Sequence, residues 1–127
     1  MSMKETNKTL TLSLLNAGHG REEIENMTPG EIIQEGLTIN VNGKPMCHTV
    51  RMANDFGMEH KNMLSIVRKM KEAGKLEGFQ VIDCRYTDGS GRKLPAYLVD
   101  RDAFTLVTLT RRGDTADLFR RRYMQAF

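Results

Sequence analysis

Lys61, Asn62, Ser65, Arg68 and Lys69 recur at helical spacing within the segment Glu59–Ala73. A rotation of about 100° per residue gathers them on one side of a helix. His60 opens the same segment. Asn and Ser match base edges, whereas Lys and Arg neutralise phosphates. The chemistry on offer is therefore hydrogen bonding and charge neutralisation along a duplex groove. Bond-breaking chemistry has no comparable support. The chain has no P-loop, no Gly-x-Ser-x-Gly and no Cys/His nucleophile setting, so an enzyme is not expected. Asp83, Asp88, Asp100 and Asp102 are not spaced as a metal set or an acid/base pair. Three histidines and two cysteines show no Cys-x-x-Cys spacing, and adjacent Cys47 and His48 would point to opposite faces of a strand. No metal and no other cofactor is expected.

Two short helices around a tight turn would position that polar face. Met63, Ile66, Val67 and Met70 fall within about one 100° sector opposite it. A first helix is expected over about Thr49–Phe56 with Thr49 as its N-cap. Gly57 suits the left-handed position after it, and Gly74 stops the second helix. Ala53 supplies the small residue needed where the helices cross. This is the pattern of a helix-turn-helix. The competing reading is an αα-hairpin that only packs a core, because the pattern specifies packing and not DNA. The Lys, Asn, Ser and Arg types on the polar face favour DNA.

Hairpins flank the pair. Leu37–Val41 alternates like a strand, Asn42-Gly43 is a strong two-residue turn signal, and Lys44–His48 returns with Pro45 at an edge. After the helices, Phe79–Tyr86 and Arg92–Val99 read as strands around a Gly-rich tip with a basic shoulder that includes Arg92 and Lys93. Helix, turn, helix and basic hairpin form the layout of a winged helix, in which Arg92 and Lys93 would touch backbone or minor groove. Upstream, Leu10–Leu15 is a short apolar patch, and Thr28-Pro29-Gly30-Glu31 signals a helix start. Asp100 caps a further helix with Phe104, Leu106, Val107 and Leu109 available to the core, and Asp114 opens a last helix that carries Arg120, Arg121 and Arg122. The expected fold class is α+β, a winged helix-turn-helix-like domain with two β-hairpins and C-terminal helices.

With 127 residues the chain can bury one real core. Its charge is unevenly distributed. Residues 1–36 carry three Lys/Arg against six Asp/Glu, and residues 37–127 carry sixteen against ten, for a net charge of +3. An acidic N-terminal extension, 1–36, is therefore expected ahead of a basic domain, 37–127, and a basic body fits an anionic partner. No apolar run approaches the roughly 20 residues that span a bilayer, so a cytoplasmic protein with no membrane partner is expected.

From Asn42 to Phe127 the chain resembles the phage regulatory protein Rha family. The resemblance is carried by Asn42-Gly43-Lys44-Pro45, Ala53-Asn54-Asp55-Phe56-Gly57, His60-Lys61-Asn62-Met63-Leu64 and above all Gly91 through Leu106, with its Tyr97-Leu98 and Asp102-Ala103-Phe104-Thr105-Leu106 pieces. It implies a phage- or prophage-encoded regulator in a bacterial host that binds double-stranded DNA through a winged-helix-like domain. His60, Lys61 and Asn62 match the family motif at the start of the recognition helix. Two departures are Asp100, where members often have Thr at the cap, and the polar loop Thr110-Arg111-Arg112-Gly113. A homodimer, formed through the last helix, is expected from the two-fold symmetry of small operators. The alternative is an antirepressor, or a module binding a host or phage regulatory protein without DNA affinity of its own.

Overall fold

A computed structural model describes residues 18–127. The Leu10–Leu15 patch lies outside the described residues. Among the described residues, six helices and four strands follow in the order α1 (Arg21–Glu25), α2 (Pro29–Glu35), β1 (Ile39–Val41), β2 (Lys44–His48), α3 (Thr49–Asp55), α4 (His60–Glu72), β3 (Val81–Thr87), β4 (Lys93–Val99), α5 (Arg101–Thr108) and α6 (Asp114–Ala126). The fold is mixed α+β.

Short-range chemistry sets most of the boundaries. Thr28 and Glu31 form a reciprocal capping box ahead of Pro29, which starts α2. Asn42 and Gly43 adopt φ of 52° and 91°, a conformation that few other residues tolerate, and so close the β1–β2 hairpin. Asn40 Oδ1 accepts the Gly43 amide at 2.8 Å. Asp100 Oδ1 accepts the Ala103 amide and caps α5. At α3 the capping group differs from expectation. His48, not Thr49, is the N-cap, with its Nδ1 accepting the Val50 amide at 3.1 Å. Thr49 is fully buried in the first turn, and its hydroxyl has a tertiary role described below.

The sheet order is β1-β2-β4-β3, with every neighbour antiparallel. Pro45 therefore lies on an internal strand rather than on an edge. It pairs with Asn40 of β1, but β4 pairs β2 only at Cys47 and His48, so Pro45 has no partner strand on its β4 side.

Two clusters form the core. One gathers Ile24 of α1 and Ile32 of α2 with Ile39, Val41, Met46, Val50, Cys84, Ala96 and Leu98. The other joins α3, α4, α5 and α6 through Met52, Ala53, Phe56, Met63, Val67, Phe104, Val107 and Tyr123. Phe104 stacks on Tyr123 at 4.6 Å between centroids, and Phe56 lies 6.1 Å from each. Leu106 is half-buried, but Leu109 is 56% exposed, because α5 ends at Thr108. Arg120 turns inward. Its guanidinium donates to the carbonyls of Thr108 and Arg111 and to Asp117 Oδ1, so the C-terminal end of α5 is closed by a side chain from α6.

A polar network crosses this core. Tyr123 Oη donates to Asp55 Oδ2 at 2.6 Å, Arg51 Nε donates to the same oxygen at 2.7 Å, and another Arg51 nitrogen reaches the Ile33 carbonyl at 2.6 Å. It ties α6, α3 and α2 together. Tyr123→Phe removes one donor from a nearly buried carboxylate that also accepts from Arg51. A loss of about 1–3 kcal/mol is expected, read from the urea midpoint at unchanged m-value.

Both cysteines are buried free thiols, one in each cluster. Burial raises the Cys47 thiol well above its usual range and pushes Cys84 up to about 12, so neither is a ready nucleophile. No helix among the described residues is long and apolar enough to cross a membrane.

Candidate nucleic-acid interface

The turn between α3 and α4 is built by its backbone. Gly57 adopts φ of 66°, its amide bonds the Asn54 carbonyl, and the Met58 amide bonds the Ala53 carbonyl at 2.9 Å. These two bonds are a Schellman cap, which ends α3 and turns the chain within a few residues. Ala53 is 2% exposed at the packed side of the pair. α4 ends in the same way at Gly74, with Gly74 bonding Lys71 and Lys75 bonding Met70.

The inner side of α4 buries Met63, Leu64 and Val67. Its outer side presents Lys61, Asn62, Arg68 and Lys69 as exposed residues, with Ser65 half-buried between them. Five of the six helical residues selected from sequence thus share one solvent-facing stripe. Lys61 Nζ lies 3.2 Å from Glu59 Oε2, with both side chains more than two-thirds exposed. Such a pair contributes little and exchanges readily for a phosphate. Lys71 leaves the stripe. It bonds Asp83 at 3.1 Å and sits 5.7 Å from the Tyr97 ring centroid.

His60 is placed differently. Its Nε2 lies 2.9 Å from Thr49 Oγ1, and its ring meets Tyr86 edge-on at 5.3 Å. Thr49 Oγ1 also accepts the Tyr97 amide at 3.1 Å. The start of α4 is therefore pinned to the start of α3 and to the far end of β3, beside the β3–β4 hairpin tip. Burial lowers the His60 pKa to about 4, so the ring is neutral near pH 7.

At that tip, Asp88 organises the turn. Its Oδ1 accepts from the Ser90 amide, the Ser90 hydroxyl and the Arg92 amide, and its Oδ2 accepts from Arg92 Nε at 3.1 Å. The Ser90 hydroxyl and the Arg92 amide lead in holding its carboxyl down to about 2. Arg92 remains 75% exposed. Lys93 is exposed, but its ammonium is engaged by other groups of the chain. Its Nζ donates to the Glu25 carbonyl at 2.7 Å, to Asn26 Oδ1 and to Thr87 Oγ1 at 2.9 Å. Thr87 in turn donates its amide to the Met27 carbonyl and its hydroxyl to that of Glu25. The hairpin is thereby anchored to α1.

The start of the helix stripe thus lies beside the hairpin, with His60 packed between them, while Lys93 ties the hairpin shoulder to α1. Sequence reasoning missed Thr49, Tyr86 and Asp88. For Asp88 a signal existed, since Asp-Gly-Ser-Gly favours a side chain that bonds its own turn. For Thr49 and Tyr86 none did, because their partners lie on other elements. Among the described residues, no group of three or more His, Cys, Asp or Glu could hold a metal ion.

In comparison with known proteins, the family described as phage regulatory protein Rha matches residues 47–127, the span from the end of β2 through α6. Neither a curated protein nor a solved structure matches the chain.

Proposed function

The chain belongs to the phage regulatory protein Rha family, and from that premise we propose that it is a cytoplasmic phage regulator, not an enzyme, that binds duplex DNA through a winged helix-turn-helix. The observation that carries this reading is the stripe Lys61, Asn62, Ser65, Arg68 and Lys69 on a helix whose start is pinned beside the β3–β4 hairpin. The order of elements supports it. A strand precedes the helix pair, a hairpin follows it, and the three strands lie side by side as β2-β4-β3. In this reading Lys61, Asn62 and Ser65 reach base edges in the major groove. Arg68 and Lys69 hold phosphates, and Arg92 enters the backbone or minor groove at the side. His60 and Lys93 act one step back, fixing the helix start and the hairpin shoulder.

The rival reading, a protein-binding antirepressor without DNA affinity, would be helped by an aromatic anchor on the outer face of α4. That stripe holds none.

The test is a gel shift of Lys61→Ala/Arg68→Ala against a fragment library of the phage or host genome, repeated over a range of salt concentrations. Both side chains are exposed, so circular dichroism should be unchanged. Loss of two phosphate contacts should flatten the log–log salt slope by about two. Unchanged affinity and slope would sink the DNA reading, and host-lysate capture that survives nuclease treatment would favour the rival.

A further inference from the structure

The outer face of α6 has no partner within the described chain. Asp114, Leu118, Arg121 and Gln125 line it, flanked by Thr115 and Arg122, and all six are exposed. The opposite face is occupied, with Ala116 and Tyr123 buried and Phe119, Met124 and Phe127 packed on the α3–α6 core. Leu118, at 47% exposure, is one of two large apolar side chains left in solvent among the described residues. The charge runs from acidic to basic along the helix, with Asp114 and Asp117 in the first turn and Arg120 to Arg122 beyond Leu118. Asp117 is satisfied by Arg120. Neither Asp114 nor Arg121 takes part in an ion pair among the described residues, and Arg122 touches only the Phe119 ring, at 5.7 Å.

We propose that this face pairs with the same face of a second copy of this chain, antiparallel, about a two-fold axis at Leu118. In that register each residue before Leu118 meets the one equally far after it. Leu118 meets the partner's Leu118, Asp114 meets the partner's Arg122, and Thr115 meets the partner's Arg121. Both ends of the interface gain an ion pair for charges that have none in the monomer. A parallel alignment would stack arginines on arginines, so electrostatics selects the antiparallel pair. In an isologous contact of this kind every interaction off the axis occurs twice.

A helix of 13 residues offers less than the roughly 800 Å² per partner of a standard interface. The pair is therefore weak in free solution. It becomes favoured where two copies are held side by side, at effective concentrations of order mM. This purpose rests on the proposed DNA reading, but the contact does not.

The test is sedimentation equilibrium of the full chain without DNA, up to about 1 mM. Reversible dimers are expected. Asp114→Arg and Arg122→Asp should each weaken association about ten-fold or more, and the double exchange should restore it. Leu118→Arg should abolish it with an unchanged thermal melt, which covers the case in which Asp114→Arg frays the helix start. A chain monomeric at the highest concentration, or a dimer indifferent to all these variants, overturns the proposal. Because no DNA is present, either result leaves the α4 reading where it stands.

Discussion

Phe104→Ala is expected to lower the unfolding free energy by about 3–5 kcal/mol. Phe104 is fully buried and touches three other rings. Tyr123 stacks on it at 4.6 Å, Phe127 lies at 5.8 Å and Phe56 at 6.1 Å. These rings come from α3, α6 and the C-terminus, so no single element can move inward to fill the space left behind. The loss combines removed apolar surface with a residual cavity, and such losses are largest where neighbours are held by other contacts. Here Tyr123 is held by Asp55, and α6 by Arg120. A domain of this size has only about 5–15 kcal/mol in total, so this one substitution would remove a sizeable part of it. Guanidinium unfolding at an unchanged m-value is the measurement. A loss below about 1 kcal/mol would show that the junction can collapse, and that α6 is less firmly docked than its contacts indicate. Leu118→Ala serves as the contrast. That side chain is half in solvent, and its removal should change monomer stability by less than about 0.5 kcal/mol.

Acidification should weaken the fold through buried His48 and half-buried His60. His48 is 1% exposed, with Nδ1 capping α3 and Nε2 without a hydrogen-bond partner. Burial foremost, and then the proximity of His60, lowers its pKa from 6.5 to about 3. Burial takes His60 to about 4. In both, the folded value lies below the unfolded one. Between the two values the unfolded chain binds more protons, so stability is fully present above about pH 6.5 and falls as the pH drops. His19 works in the opposite direction. Burial alone would lower its pKa, but Glu23 at 2.8 Å and Glu35 at 3.0 Å outweigh that and raise it. Its contribution is present at low pH and is lost as the pH rises through its folded pKa. His48 and His60 dominate below pH 6. At about 1.4 kcal/mol per unit, His48 alone should remove about 2–3 kcal/mol between pH 6.5 and 4.5, or about 10 °C in Tm. His48→Asn retains a side-chain acceptor for the Val50 amide but cannot titrate, and it should flatten the profile over that range. An equally steep profile in the variant would place the acid sensitivity elsewhere.

The parts of this fold that could be read before any coordinates are those whose cause lies within a few residues. The Thr28–Glu31 capping box, the Asn42-Gly43 turn, the Gly57 cap and the Asp100 cap are each a side chain or a free φ acting on backbone no more than four residues away. The two-sided pattern of α4 is likewise local, since 3.6-residue periodicity alone separates Met63 and Val67 from Arg68 and Lys69. Residue type at such positions constrains the conformation directly.

What could not be read is which polar groups are already engaged. Lys93 has the type of a phosphate contact, yet its ammonium is held by a carbonyl 68 residues away in α1. Arg120 reads as part of an exposed basic run, but it closes the end of α5. His60 stands in the motif of the recognition segment and turns toward Thr49 and Tyr86. In each case the side chain's chemistry allows both a free and an engaged role, and the choice depends on which groups of other elements the fold brings within reach. Chain topology decides that, because a long-range partner is chosen by how the two core clusters and the sheet assemble and not by the residue's own neighbours in sequence.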